Sequence, residues 1–222
     1  LTRNLTAGEM LSQIYQIQKD TKERVSNIIV MGMGEPLDNY EELLRFIKLV
    51  SCEKGIGISQ RNITVSTCGL VDKIRMLADE KLQITLAISL HAPNDEIRRQ
   101  TMPIANRYTI GEIIQACKYY FDKTGRRITF EYSMIRGVND KEEHAKELAG
   151  RLSGLNCHIN LIPLNEVKER NCYRSTKEDI EKFKTILEKY RKTVTIRREM
   201  GSDIDAACGQ LRKKFLTKNG RN

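Results

Sequence analysis

The sequence predicts an α/β fold, a partial (βα)6 barrel of the TIM type that lacks its first strand. Three observations carry this expectation. Short β-branched or aliphatic runs alternate with longer amphipathic stretches through most of the 222 residues. The connections are short, as parallel βα units require. No G-x-G-x-x-G fingerprint follows any of the runs, which favours a barrel over a doubly wound sheet.

The first twenty residues are polar and helical in pattern, so the series opens on a helix without the strand it should follow. Strands are expected at 27–31, 62–66, 83–89, 127–132, 158–162 and 193–196. Helix patterns lie between them. Five helix starts carry a cap residue followed three positions later by Glu: Thr6/Glu9, Asn39/Glu42, Thr109/Glu112, Asn139/Glu142 and Ser175/Glu178. In such a box each side chain satisfies a backbone donor that the helix itself leaves unpaired. Residues 1–199 read as one incomplete barrel core, and 200–222 as a C-terminal segment holding Cys208 and a basic tail.

Composition narrows the function classes. Forty per cent apolar residues and a balanced charge content exclude a disordered chain, a collagen or a coiled coil. No apolar run approaches the ~20 residues that span a bilayer, and no apolar leader opens the chain. A cytoplasmic protein with no membrane partner is expected, and the start at Leu1 suggests a piece of something longer. The six cysteines show no C-x2-C spacing, so no compact zinc or cluster site is expected from them. Thirty-eight Lys and Arg against 29 Asp and Glu give a formal charge of +9. The basic residues gather at Arg98-Arg99, Arg126-Arg127, Arg197-Arg198 and Arg212-Lys213-Lys214. Such charge favours phosphate backbones through counterion release, although the interleaved acids equally suit an ordinary solvated surface.

In parallel βα architectures chemistry gathers at the C-terminal ends of the strands. Those ends are polar and glycine-rich here: Met31-Gly32-Met33-Gly34-Glu35-Pro36, Ser66-Thr67-Cys68-Gly69, Ser89-Leu90-His91-Ala92-Pro93 and Pro163-Leu164-Asn165. All would face one rim, so Glu35, Ser66, Ser89, His91 and Asn165 could converge on a single ligand. Glu35 suits an ammonium group or a tight turn. His91 suits a ligand or a turn, and Asn165 an adenine edge, a carboxylate or a turn. No G-x-S-x-G elbow supports a hydrolase. Small residues flank Cys208 and Gly209 follows it, which admits a large reactant to the sulfur.

Together with Leu1-Thr2-Arg3-Asn4-Leu5-Thr6 and Asp205-Ala206-Ala207-Cys208-Gly209-Gln210-Leu211, these strand ends resemble the radical S-adenosylmethionine (SAM) methyltransferases that modify adenine C2 in 23S ribosomal RNA and in transfer RNA. The resemblance covers essentially the whole chain. It implies a barrel of the radical SAM type, SAM and a 4Fe–4S cluster as cofactors, and 23S rRNA and tRNA as partners. Reduction by a donor such as flavodoxin is also implied. Gly34 and Glu35 would hold the amino end of SAM, and Ser66, Ser89, Leu90, His91 and Asn165 would line the rest of its pocket. Cys208 would carry the methyl group in transit, as an S-methylcysteine whose carbon radical adds to the base. The cluster ligands of the family, a C-x3-C-x2-C motif, are expected upstream of Leu1 and so outside this chain. The related adenine C8 methyltransferases, and a non-catalytic SAM- or RNA-binding module, are the alternatives. A monomer is expected.

Overall fold

The computed structural model describes residues 3–32, 34–164 and 173–198. Every expected run is a strand, with ends displaced by no more than two residues: β1 (Ile28–Val30), β2 (Ile63–Thr67), β3 (Thr85–Ser89), β4 (Ile128–Met134), β5 (Cys157–Pro163) and β6 (Thr193–Ile196). The helices are α1 (Ala7–Thr21), α2 (Tyr40–Val50), α3 (Val71–Asp79), α4 (Asp95–Thr101), α5 (Ile110–Thr124), α6 (Glu142–Arg151) and α7 (Lys177–Lys189). The strands form one six-stranded sheet in chain order. β1 pairs in parallel with β2, β2 with β3, and β5 with β6.

Two compact units divide the chain, the first Leu1–Leu90, Pro103–Phe130 and Gly154–Cys157, the second His91–Met102, Glu131–Ser153 and His158–Asn222. In the first, Val65, Leu86 and Ile88 of the sheet are buried, as are Phe46 and Ile47 of α2, Ile74 and Leu77 of α3, and Ile113 and Tyr120 of α5. In the second, Tyr132, Met134, Ile159 and Leu161 alternate along their strands with Glu131, Ser133 and Asn160. A parallel sheet covered by apolar layers on both faces would read as continuous hydrophobic runs. Alternation instead leaves one polar face. The Tyr132 and Phe183 rings, with centroids 5.2 Å apart, anchor the apolar one.

Two of the five capping boxes form as expected, at Thr6/Glu9 and Thr109/Glu112. The other three differ, each for a physical reason. Asn39 makes no cap bond, and its amide donates to Leu5 O at 2.8 Å. Its partner Glu42 instead accepts Ala7 N–H at 2.6 Å, so it satisfies an orphan donor at the start of α1. Asn139 is fully buried and lies outside α6, which begins at Glu142 behind Lys141. At α7 the cap moves one residue on: Thr176 Oγ1 accepts Asp179 N–H at 3.1 Å, while the Ser175 hydroxyl donates to Asp140 at 2.7 Å.

Candidate functional site

In the first unit the loops after β1 and β2 are fastened by one carboxylate. Glu35 Oε1 accepts Leu37 N–H at 3.0 Å, capping the short 3-10 turn Pro36–Asn39. Its Oε2 accepts Cys68 N–H at 2.7 Å. The chain reaches each end of this bond through a glycine in the left-handed region, Gly34 at φ 102° and Gly69 at φ 100°. A side chain at either position would be strained. Thr67 Oγ1 accepts Gly69 N–H at 3.1 Å and completes the second turn. Ser66 is buried within β2, and Ser89 and the buried Leu90 close β3. The parallel register sets Ser66 beside Ala87 and Thr67 beside Ile88, so these strand ends share one edge of the sheet. A carboxylate has about four lone-pair sites, so two backbone donors leave Glu35 room for a further one.

In the second unit His91 adopts φ 57°. Its N–H donates to Glu131 O at 3.2 Å, and its Nδ1 accepts Ser133 N–H at 3.0 Å. An Nδ1 that accepts carries no proton, so the neutral ring holds its hydrogen on Nε2. Desolvation, with a smaller repulsion from Arg98, pushes the imidazole pKa down to about 4. A neutral donor therefore stands at this strand end at neutral pH.

On the polar face of β4, β5 and β6, Asn160 Nδ2 donates to Glu131 Oε2 at 2.8 Å. The Thr195 hydroxyl lies 3.1 Å from Asn160 Oδ1 and 2.9 Å from His158 Nε2. A hydroxyl has one hydrogen. With that hydrogen on Asn160, His158 is the donor to Thr195, and the bonds run in one direction from His158 to Glu131. Burial pushes the Glu131 carboxyl above the ordinary range, opposed by its Asn160 bond and by Arg197. Sequence reasoning missed this network and read Asn139 only as a helix cap. The available signal was an acidic residue inside the otherwise apolar and β-branched run Ile128-Thr129-Phe130-Glu131-Tyr132.

Of the expected site residues, Asn165 and Cys208 lie outside the described residues. Among the described cysteines Cys52 is exposed, Cys68 half-buried, and Cys117 and Cys157 buried. No group of three or more His, Cys, Asp or Glu among the described residues is placed to hold a metal ion. No described helix is long and apolar enough to cross a membrane.

The chain is 60% identical to the "Probable dual-specificity RNA methyltransferase RlmN" of Lachnoclostridium phytofermentans over 218 residues, covering 98% of this chain and 61% of that protein. The protein of the same name from Clostridium novyi is 56% identical, over 99% of this chain and 64% of the relative. The chain thus spans about three fifths of the length of the curated relatives it matches. A crystal structure of a radical SAM methyltransferase from Sphaerobacter thermophilus superimposes with a TM-score of 0.89 at 48% identity, over 95% of this chain and 62% of that one. A domain of a pyruvate-formate lyase-activating enzyme from Bacteroides vulgatus shares the fold alone, with a TM-score of 0.59 at 21% identity over 78% of this chain and all of that one. The Radical SAM superfamily model matches residues 7–149, well over half of the sequence. With glycine-bounded polar loops closing parallel strands, and that match spanning them, the chain belongs to the radical SAM superfamily.

Proposed function

We propose that this chain is the larger part of an RNA methyltransferase that methylates adenine C2 in 23S rRNA, and in tRNA, through an S-methyl group carried on Cys208. The observation that carries the reading is the 60% identity to an RNA methyltransferase over 98% of the chain. Adenine C2 is an electron-poor aromatic carbon, which polar methyl transfer attacks poorly. A methyl group first placed on sulfur and then delivered as a carbon radical suits it. The segment around Cys208, small on both sides, lets one sulfur meet first a methyl donor and then a base.

The family implies two cofactors. For SAM the residues fit: Gly34 permits close backbone approach, Glu35 keeps acceptor capacity for an ammonium group, and His91 offers a neutral donor. We assign SAM to these three with Ser66, Ser89, Leu90 and Asn165. A 4Fe–4S cluster supplies the electron that reductive SAM cleavage needs, but the described residues offer no ligand set for it. Its cysteines belong, in this reading, to the longer protein that the relatives' lengths indicate. A flavodoxin-type donor, a monomeric enzyme and a cytoplasmic site of action complete the proposal.

The test is complementation. The full-length gene is expressed in a strain lacking the activity, and modified nucleosides from 23S rRNA and tRNA are mapped by mass spectrometry. Methyl gained at adenine C2 is expected. Methyl at C8 alone would overturn the assignment in favour of the related enzymes, and no new methyl would overturn the catalytic reading.

A further inference from the structure

The backbone at His91 departs from regular strand pairing in a way that involves a third residue. His91 N–H donates to Glu131 O at 3.2 Å, as a parallel ladder requires. The next bond of that ladder would run from Ser133 N–H to the His91 carbonyl. Ser133 N–H goes instead to the His91 ring at 3.0 Å, and the left-handed φ of 57° turns the carbonyl away. Asn139 Nδ2 collects that displaced carbonyl at 2.8 Å. The same amide donates to Ser133 O at 2.8 Å, and its Oδ1 accepts Ile135 N–H at 2.7 Å. The Tyr132 hydroxyl closes on Asn139 O at 2.7 Å. Two acceptors on one side and one donor on the other fix the amide in a single orientation. Asn139 is fully buried, where a polar side chain is costly unless its bonds are made.

We propose that Asn139 is a positioning residue, which holds the His91 imidazole at its strand end as the Nε2–H tautomer. A left-handed conformation is strained for a non-glycine residue. The Asn139 amide offsets part of that strain by satisfying the carbonyl that the turn exposes. The consequence for SAM binding rests on the reading above, in which His91 meets SAM.

Ring nitrogens of 15N-labelled full-length protein report the tautomer, and His91→Gln identifies the signal among the three histidines. In the wild type an unprotonated Nδ1 at neutral pH and solvent-protected Asn139 side-chain amide protons are expected. A protonated Nδ1 or a freely exchanging amide would overturn the proposal without any variant having to fold. Asn139→Asp removes both donors and sets an oxygen against two carbonyls. It should produce a mixture of tautomers and weaken SAM binding by about tenfold, the scale of one buried hydrogen bond. Phe183→Leu, which disturbs the same core through the Tyr132 ring but makes none of these bonds itself, should leave the ring signals unchanged. Unchanged ring signals in Asn139→Asp, or equal changes in Phe183→Leu, would overturn the positioning role. Altered ring signals with unaltered SAM affinity would uphold Asn139 and remove His91 from the SAM site.

Discussion

The Glu35 carboxylate and the Cys68 backbone N–H, thirty-three residues apart, meet at 2.7 Å, so the turn after β1 is tied to the turn after β2. Both oxygens of that carboxylate accept backbone donors, and Glu35→Gln must turn an NH2 group towards one of them. A loss of about 1–3 kcal/mol is expected, read from the urea midpoint. SAM affinity of the full-length protein should fall more steeply than stability predicts. Equal SAM affinity in variant and wild type would leave Glu35 as a fastener only.

His91 makes stability depend on pH with a definite sign. Its folded pKa of about 4 lies below the ordinary 6.5, so the unfolded chain binds this proton first. The stability it contributes is complete above pH 6.5 and is lost as pH falls towards 4, by about 3 kcal/mol at most. Urea titrations across that interval should show the slope in the wild type and a flatter one in His91→Gln.

Glu131 acts in the opposite direction. Burial raises its folded pKa, so its contribution is complete below the ordinary 4.5 and is lost as pH rises through the raised value. Glu131→Gln copies the protonated form and can keep an acceptor for Asn160. The variant should match or exceed wild-type stability at pH 7, with the advantage shrinking as pH falls towards 4.5. Thermal unfolding at the two pH values measures this.

Glu42→Ala should loosen α1 rather than its own helix. Ala7 N–H loses its 2.6 Å acceptor, at a cost of about 1 kcal/mol. Hydrogen exchange should quicken over the first turn of α1 and stay unchanged in the middle of α2. The reverse pattern would return Glu42 to a cap of α2.

Cys208→Ala in the full-length enzyme should abolish RNA methylation while leaving SAM binding intact. Retained methylation would remove this sulfur from the reaction.

Local patterns in the sequence found the strands because β-branched alternation is enforced by the pleat itself. The same patterns placed Gly34, Glu35, Ser66, Ser89 and His91 at strand ends, where the series of βα units makes such positions countable. What they could not find are bonds that need the fold. Glu42 obeys the spacing of a capping box for Asn39, yet its carboxylate is taken by Ala7, thirty-five residues away in sequence. Asn139 with Glu142 has the same spacing, but burial among the Ser133, Ile135 and His91 backbone groups claims the amide first. Ser175 and Thr176 differ by a single position, and only the neighbouring Asp140 decides which hydroxyl is left for the helix.

The buried thiols have a consequence for handling this protein. Cys117 is fully enclosed and its pKa is driven far above the ordinary value by desolvation, with a smaller effect from Cys157. Thiolate, the form that attacks electrophiles, is thereby suppressed in the native state. A methylating electrophile would find no nucleophile at Cys117, because burial blocks alkylation there. Iodoacetamide meets the same barrier until the chain opens. The rate at which Cys117 gains a carbamidomethyl group thus becomes a clock for unfolding, readable by mass spectrometry with no added probe on the backbone.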